Sequence, residues 1–232
     1  MKLAIIGNGG SVLKRKHGKF IDSCDKVIRM KQYITDDYEE YTGTKVDIYA
    51  SKWFSWFNDF FPYEPKDMSH VSDVDEYWFM FCNPYTTHVT EDVYTKMYIN
   101  HSLKTDTTQK NGSIMLHEQY IDLFNIPAAK VRYYPVHLVT KLAKQLNLPS
   151  HYIQDKKGNN VLLEPSVGTR TLTMAVETYP DAKIYITGFD CFLESSWYWN
   201  DRHIINNDHD YISERIYLNT LIKKGVVTDE VF

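Results

Sequence analysis

Short apolar runs that stop at glycine and alternate with helical stretches constrain this chain more than any other feature. Leu3–Ile6 is such a run, and Gly7-Asn8-Gly9-Gly10-Ser11 follows it. A strand that is apolar on both faces belongs inside a parallel sheet covered by helices. The same pattern predicts strands at Lys26–Arg29, Lys45–Ala50, Tyr77–Cys82, Val131–Tyr134 and Lys183–Thr187. Helical stretches are predicted at Glu91–Tyr98, Ser113–Phe124, His137–Leu146, Gly168–Tyr179 and Tyr211–Lys224. Lys223-Lys224-Gly225 places cations and a glycine where a helix should end. The alternation predicts an α/β fold, a Rossmann-like, mostly parallel sheet flanked by helices. In such sheets ligands bind beyond the carboxyl ends of the strands.

Length, charge and cysteine usage remove several classes. The 232 residues suit one domain spanning 1–232 and are ample for a core. A net charge of −4 does not fit a nucleic-acid binder, whose footprint is basic. Three cysteines without Cys-x-x-Cys spacing fit a reducing, cytoplasmic setting rather than a disulfide framework. The four apolar residues before Gly7 are too few for a signal peptide, and no run is long enough to span a membrane. Residues 51–75 and 191–208 fit no element; the second, with Trp197-Tyr198-Trp199, reads as a lid.

Two polar turns point to an anionic ligand. Gly7-Asn8-Gly9-Gly10-Ser11 lacks the third glycine of a Gly-x-Gly-x-x-Gly fingerprint, which weighs against a dinucleotide oxidoreductase. Glu164-Pro-Ser-Val-Gly-Thr-Arg170 opens a predicted helix, where a hydroxyl and backbone N–H groups can meet a phosphate or carboxylate. Asp73-Val-Asp75 precedes a predicted strand instead of ending one, so it is not read as a metal site. His209, at the start of the last predicted helix, is either a candidate base or a histidine satisfied by a neighbour.

The order of these blocks resembles the sialyltransferase superfamily. Ile6-Gly7-Asn8-Gly9-Gly10-Ser11 followed by Gly18, Ile21-Asp22, Asp25, Val27 and Arg29-Met30 is similar to its large motif. Pro165-Ser166-x-Gly168 with Ile184-Tyr185-Ile186-x-Gly188-Phe189 is similar to its small motif. His209-x-x-x-x-Glu214 is similar to its very short motif. Small bacterial members share a Ser-Gly turn, an Ile-Tyr-x-x-Gly-x-Asp strand end and a late histidine. Residues 3–50 and 164–225 carry the likeness.

The resemblance implies a single-domain GT-A-variant glycosyltransferase with a lid loop over about 191–208. It implies a cytidine monophosphate (CMP) sugar donor, a glycan acceptor, inversion, and no metal or other cofactor. Asn8, Gly9, Ser11, Ser166, Gly168, Thr169 and Gly188 are then expected at the donor, and His209 is the expected base. Tyr198, with His203 as a second candidate, is expected against the departing phosphate. Glu214, five residues beyond His209 on one helix, is expected on a different face from it and in a structural role. Lys31 stands where the family usually has asparagine, and is expected at the donor's carboxylate or phosphate. That substitution keeps open another CMP-activated acidic sugar such as Kdo. A non-catalytic nucleotide- or glycan-binding module is the alternative of a different class. The missing membrane anchor and Golgi-type cysteines point to a soluble bacterial or viral version.

Overall fold

The computed structural model describes residues 1–51, 73–80, 125–149, 151–154, 158, 160–191, 197–199 and 209–229. Its centre is a seven-stranded sheet in which every adjacent pair is parallel. The strands are β1 (Lys2–Ile6), β2 (Lys26–Met30), β3 (Ile48–Ser51), β4 (Glu76–Phe79), β5 (Val131–Tyr133), β8 (Lys183–Thr187) and β9 (Val227–Thr228). Between β5 and β8 in sequence, β6 (Ile153–Gln154) and β7 (Asn160–Val161) form a separate antiparallel pair. The helices are α1 (Gly18–Asp22), α2 (Glu39–Thr42), α3 (Val136–Gln145), α4 (Val167–Thr178) and α5 (Tyr211–Lys223).

The strand order is β5-β4-β3-β2-β1-β8-β9. The chain builds outward from β1 in one direction and then returns to its other side with β8. Carboxyl ends flanking such a reversal splay apart and leave a crevice. The exits of β1 and β8 therefore define where a ligand can sit.

Side-chain alternation explains why β1 is so apolar. Leu3 and Ile5 pack into a core with Ile28, Ile48, Trp78, Leu138, Leu172 and Leu218. Ala4 and Ile6 pack into a second core with Val12, Ile21 and Val27. Both faces are covered from Leu3 to Ile6, and only Lys2, at the start of the strand, meets water. Burying one such aliphatic side chain contributes about 1.5–3 kcal/mol.

The helix ends follow local chemistry. Ser166 caps α4 by accepting the Thr169 N–H at 3.2 Å. Asp210 caps α5 by accepting the Ser213 N–H at 3.1 Å. At the other end of α5 the Gly225 N–H reaches the Ile222 carbonyl and the Val226 N–H reaches Leu221. That pair of bonds is the Schellman closure.

The structure departs from the sequence expectations at several places. β3 begins at Ile48, not Lys45. The Thr44 and Lys45 N–H groups are bonded to the Asp22 carboxylate at 2.8 and 2.9 Å, which leaves neither for a ladder. β6, β7 and β9 have two residues each, too few to show a period, and α1 and α2, with five and four residues, barely exceed one turn. The helices expected at Glu91–Tyr98 and Ser113–Phe124 lie outside the described residues.

The exits of β1 and β8 interlock. The Gly7 N–H bonds the Thr187 carbonyl at 2.8 Å, and the Gly9 N–H bonds Gly188 at 2.9 Å. A Cβ on Gly7 would lie 2.3 Å from the Gly188 oxygen, and one on Gly188 would lie 2.5 Å from the Gly7 oxygen. Gly188 also has φ of +72°, in the left-handed region. Gly188→Ala is expected to cost about 2–3 kcal/mol, which lowers the midpoint of thermal unfolding by roughly 5–10 °C. A midpoint unchanged by the substitution would show that the two turns separate easily.

Candidate active site

Beyond the carboxyl ends of β1, β2 and β8 lies a cavity of about 110 Å³. Its floor is Gly7, Asn8 and Gly9 after β1, with Met30 and Lys31 at the end of β2. One wall is the start of α4, Ser166–Thr169; the facing wall is Gly188–Cys191 after β8. Trp197, His209 and Glu214 complete it. Of the residues expected at the donor, Asn8, Gly9, Lys31, Ser166, Gly168, Thr169 and Gly188 meet here, together with His209.

Each polar group has a specific engagement. The Asn8 amide donates to the Met30 carbonyl at 3.1 Å and the Gln32 carbonyl at 2.8 Å. Its donors are committed to the β2 exit, which leaves its oxygen to accept a hydrogen bond from a ligand hydroxyl. Lys31 has a left-handed backbone, φ +51°, while its N–H bonds Ala50 at 2.8 Å. A lysine held in that conformation is locally strained, and such strain gathers at binding sites.

The start of α4 holds an anion supplied by the chain itself. Glu214, 3% exposed, accepts from the Ser166 N–H at 2.7 Å and the Ser166 hydroxyl at 2.5 Å. It also accepts from the Thr169 hydroxyl. A carboxylate at a helix N-terminus is favoured by the macrodipole. The Ser166 hydroxyl, expected to meet the donor, thus donates a hydrogen bond to Glu214. Gly168 differs: a Cβ there would meet only ordinary neighbours, Phe189 at 3.5 Å being the nearest. Packing within the protein does not demand a glycine at this wall of the cavity.

His209 precedes the Asp210 cap and so lies outside α5. The expectation that it and Glu214 occupy different faces of one helix fails for that reason; both line the same cavity. The His209 Nδ1 lies 2.7 Å from the Glu164 carbonyl oxygen. A carbonyl can only accept, so Nδ1 carries a proton, and the lone pair of the neutral form is then on Nε2. Tyr211 meets the ring edge-on at 5.8 Å.

Two expected residues are placed otherwise. Tyr198 is buried on the far side of the sheet with Ala4, Ile6 and Val12. Its hydroxyl bonds the Ile34 N–H at 3.1 Å and the Ile34 carbonyl, and burial pushes its pKa up to about 12. The phenol is therefore turned away from the cavity, and it is Trp197 that faces in. Ser11 lies beyond the interlocked turns, with its N–H on the Asp190 carboxylate at 2.9 Å. It lines a neighbouring depression with Lys14, Arg15 and Arg215. His203 lies outside the described residues, as does most of the segment expected to form a lid. Residues 197–199 are pinned to the turn after β1: Trp197 bridges Gly9, and the Tyr198 N–H bonds the Asn8 carbonyl at 2.9 Å.

Asp190 and Cys191 belong to the site although neither was among the expected site residues. The Ile-Tyr-x-x-Gly-x-Asp strand end signals the first. Burial raises the Cys191 thiol to about 12, so this thiol stays protonated and is no nucleophile. Asp75 sits at the amino-terminal edge of the sheet, 3.3 Å from the Lys26 ammonium and away from the cavity. Among the described residues no group of three His, Cys, Asp or Glu could hold a metal ion. No helix among them is long and apolar enough to cross a membrane.

A glycine-turned parallel sheet with a polar crevice at its reversal and an imidazole beside it has the architecture of a nucleotide-sugar glycosyltransferase. Over residues 2–226 the chain matches glycosyltransferase family 29 (sialyltransferase), and it belongs to that family. Its structure is similar to a mammalian sialyltransferase in complex with Gal-beta-1-3GalNAc-ortho-nitrophenol, at TM-score 0.52 and 15% identity over 97% of this chain and 67% of that one. It is also similar to the sialyltransferase CstII from Campylobacter jejuni in complex with the substrate analogue CMP-3FNeuAc, at TM-score 0.50 and 15% identity over 97% and 77%. No curated protein matches it by sequence. The protein is a sialyltransferase-like, CMP-sugar-dependent glycosyltransferase.

The placement of Tyr198 and Glu214 yields opposite expectations. Tyr198→Phe loses hydrogen bonds worth about 1 kcal/mol each and should leave the transfer rate within about twofold of the parent. A rate loss of a hundredfold would mean that the phenol reaches the reaction after all. Glu214→Ala removes the acceptor shared by the Ser166 N–H and two hydroxyls, and should cost about 3 kcal/mol in a denaturant titration.

Proposed function

We propose that the protein transfers sialic acid from CMP-sialic acid to a glycan hydroxyl by a single displacement with inversion, and that it does so without a metal. The observation that carries this reading is the fixed tautomer of His209. Its Nδ1–H is held by the Glu164 carbonyl, and its Nε2 lone pair is available beside the Asn8 and Gly168 turns. Nε2 takes the proton from the acceptor hydroxyl as that oxygen attacks the anomeric carbon. The bond to the CMP phosphate breaks with its electron pair. An imidazole, with an ordinary pKa of ~6.5, suits this proton transfer near neutral pH.

The remaining cavity residues serve the donor. The Asn8 oxygen accepts from a ribose or sugar hydroxyl. The open space over Gly168 lets the donor approach the backbone of α4 closely. The Lys31 ammonium meets the donor's phosphate or carboxylate, and so offsets the charge that a metal otherwise neutralises. Because this lysine suits any acidic sugar, CMP-Kdo is the second donor to assay. Three cysteines without paired spacing support a reducing, cytoplasmic setting for this reading.

The test follows CMP release from CMP-sialic acid with galactose-terminated acceptors, in buffer containing EDTA. His209→Ala is expected to lower the rate by about 10²–10⁴-fold while CMP still binds. Full activity in that variant would remove the base assignment, retention at the anomeric centre would remove the single displacement, and equal turnover of CMP-Kdo would remove the narrow donor. Gly168→Ala should leave folding unchanged or slightly firmer and weaken CMP binding by about tenfold, or ~1.4 kcal/mol. In the parent protein, CMP at about 100 times its dissociation constant should add about 2.7 kcal/mol of stability.

A further inference from the structure

We propose that Arg170 and Glu164 form a positioning pair that sets the proton location on His209. The inference rests on the reading of His209 as the base, but it concerns residues outside the donor site. The two side chains are among the most buried charges of the described residues, at 5% and 2% exposure. Arg170 Nη2 lies 2.5 Å from Glu164 Oε2, and Nη1 donates to the Met80 carbonyl at 2.7 Å. One guanidinium thus spans the end of β4 and the segment that leads into α4.

The main-chain carbonyl of Glu164 accepts from His209 Nδ1. Fixing the Glu164 side chain therefore fixes the acceptor that decides which imidazole nitrogen is protonated. The segment is also held two residues on, where Glu214 grips the Ser166 N–H and hydroxyl. His209 and Glu214 come from the same stretch of chain, so the start of α5 and the approach to α4 are joined by two rungs. Arg170 anchors the rung that carries the base. A planar, five-donor side chain suits this dual grip, whereas a lysine ammonium cannot span both partners with fork geometry. A buried charge pair of this kind adds little net stability compared with an apolar pair. Specification of geometry is the role left to it.

The experiment uses the whole chain with ¹⁵N-labelled histidine, read above the histidine titration, with His209→Gln identifying the resonances. The parent is expected to hold the Nδ1–H tautomer. The double variant Glu164→Gln/Arg170→Met removes both charges together, and Glu164→Gln keeps the shape. In each, His209 is expected to become a mixture with the Nε2–H form. The expected kinetic loss is about 10–100-fold in kcat, with the CMP dissociation constant unchanged to within about threefold. Arg170→Lys should recover part of both. An unchanged tautomer in the folded variants overturns the proposal, even if activity falls. So does failure of every variant to fold cooperatively, because the pair would then belong to folding. If His209→Gln keeps full activity, the base reading fails; the tautomer result still decides whether the pair orients the ring.

Discussion

A carboxylate buried at the start of a helix organises the working end of this molecule. Glu214 accepts three hydrogen bonds from Ser166 and Thr169, and it does so from the first turn of α5. Burial of a charge is costly unless such donors surround it. Once they do, the two segments that meet there lose their freedom to slide. The position of α5 relative to α4 follows, and with it the position of His209 just ahead of the Asp210 cap. The anion seat of α4 is thereby filled from within, and Asn8, Lys31 and the open face of Gly168 line the cavity beside it.

The sheet supplies the complementary constraint. β1 is central, and its exit turn touches the exit turn of β8 with no room for a Cβ on Gly7 or Gly188. The crevice between strands that diverge after β1 is therefore closed at its base and open above. Trp197, bridged to Gly9, forms the adjoining rim. Floor, wall and rim share one glycine-rich turn, which is why residues far apart in sequence converge on it.

Much of this was legible from residues alone. β1 and β8 are apolar on both faces and bounded by glycine, and their limits differ from the expectation by at most one residue. α4 and α5 carry readable caps. The misplacements share a cause: each needed the direction of a side chain. Tyr198 neighbours Trp197 in sequence, yet only Trp197 lines the cavity, while the phenol packs into the core. Ser11 follows a turn whose twist carries it past the site to Asp190. His209 and Glu214 were compared on a helix that starts two residues after the histidine. The strand at Lys45 shortens because a distant carboxylate, Asp22, takes its amides, and no local pattern reports that.

Several anchors in this protein end on main-chain oxygens. Arg29, fully buried, donates to the carbonyls of Lys45 and Thr42; Arg170 donates to Met80; His209 to Glu164. A carbonyl is present whatever residue bears it. Substitution at 42, 45 or 80 can thus proceed over evolutionary time without cutting these ties, provided that the backbone path is kept. Divergence to 15% identity while the fold persists is what a scaffold wired to its own backbone permits.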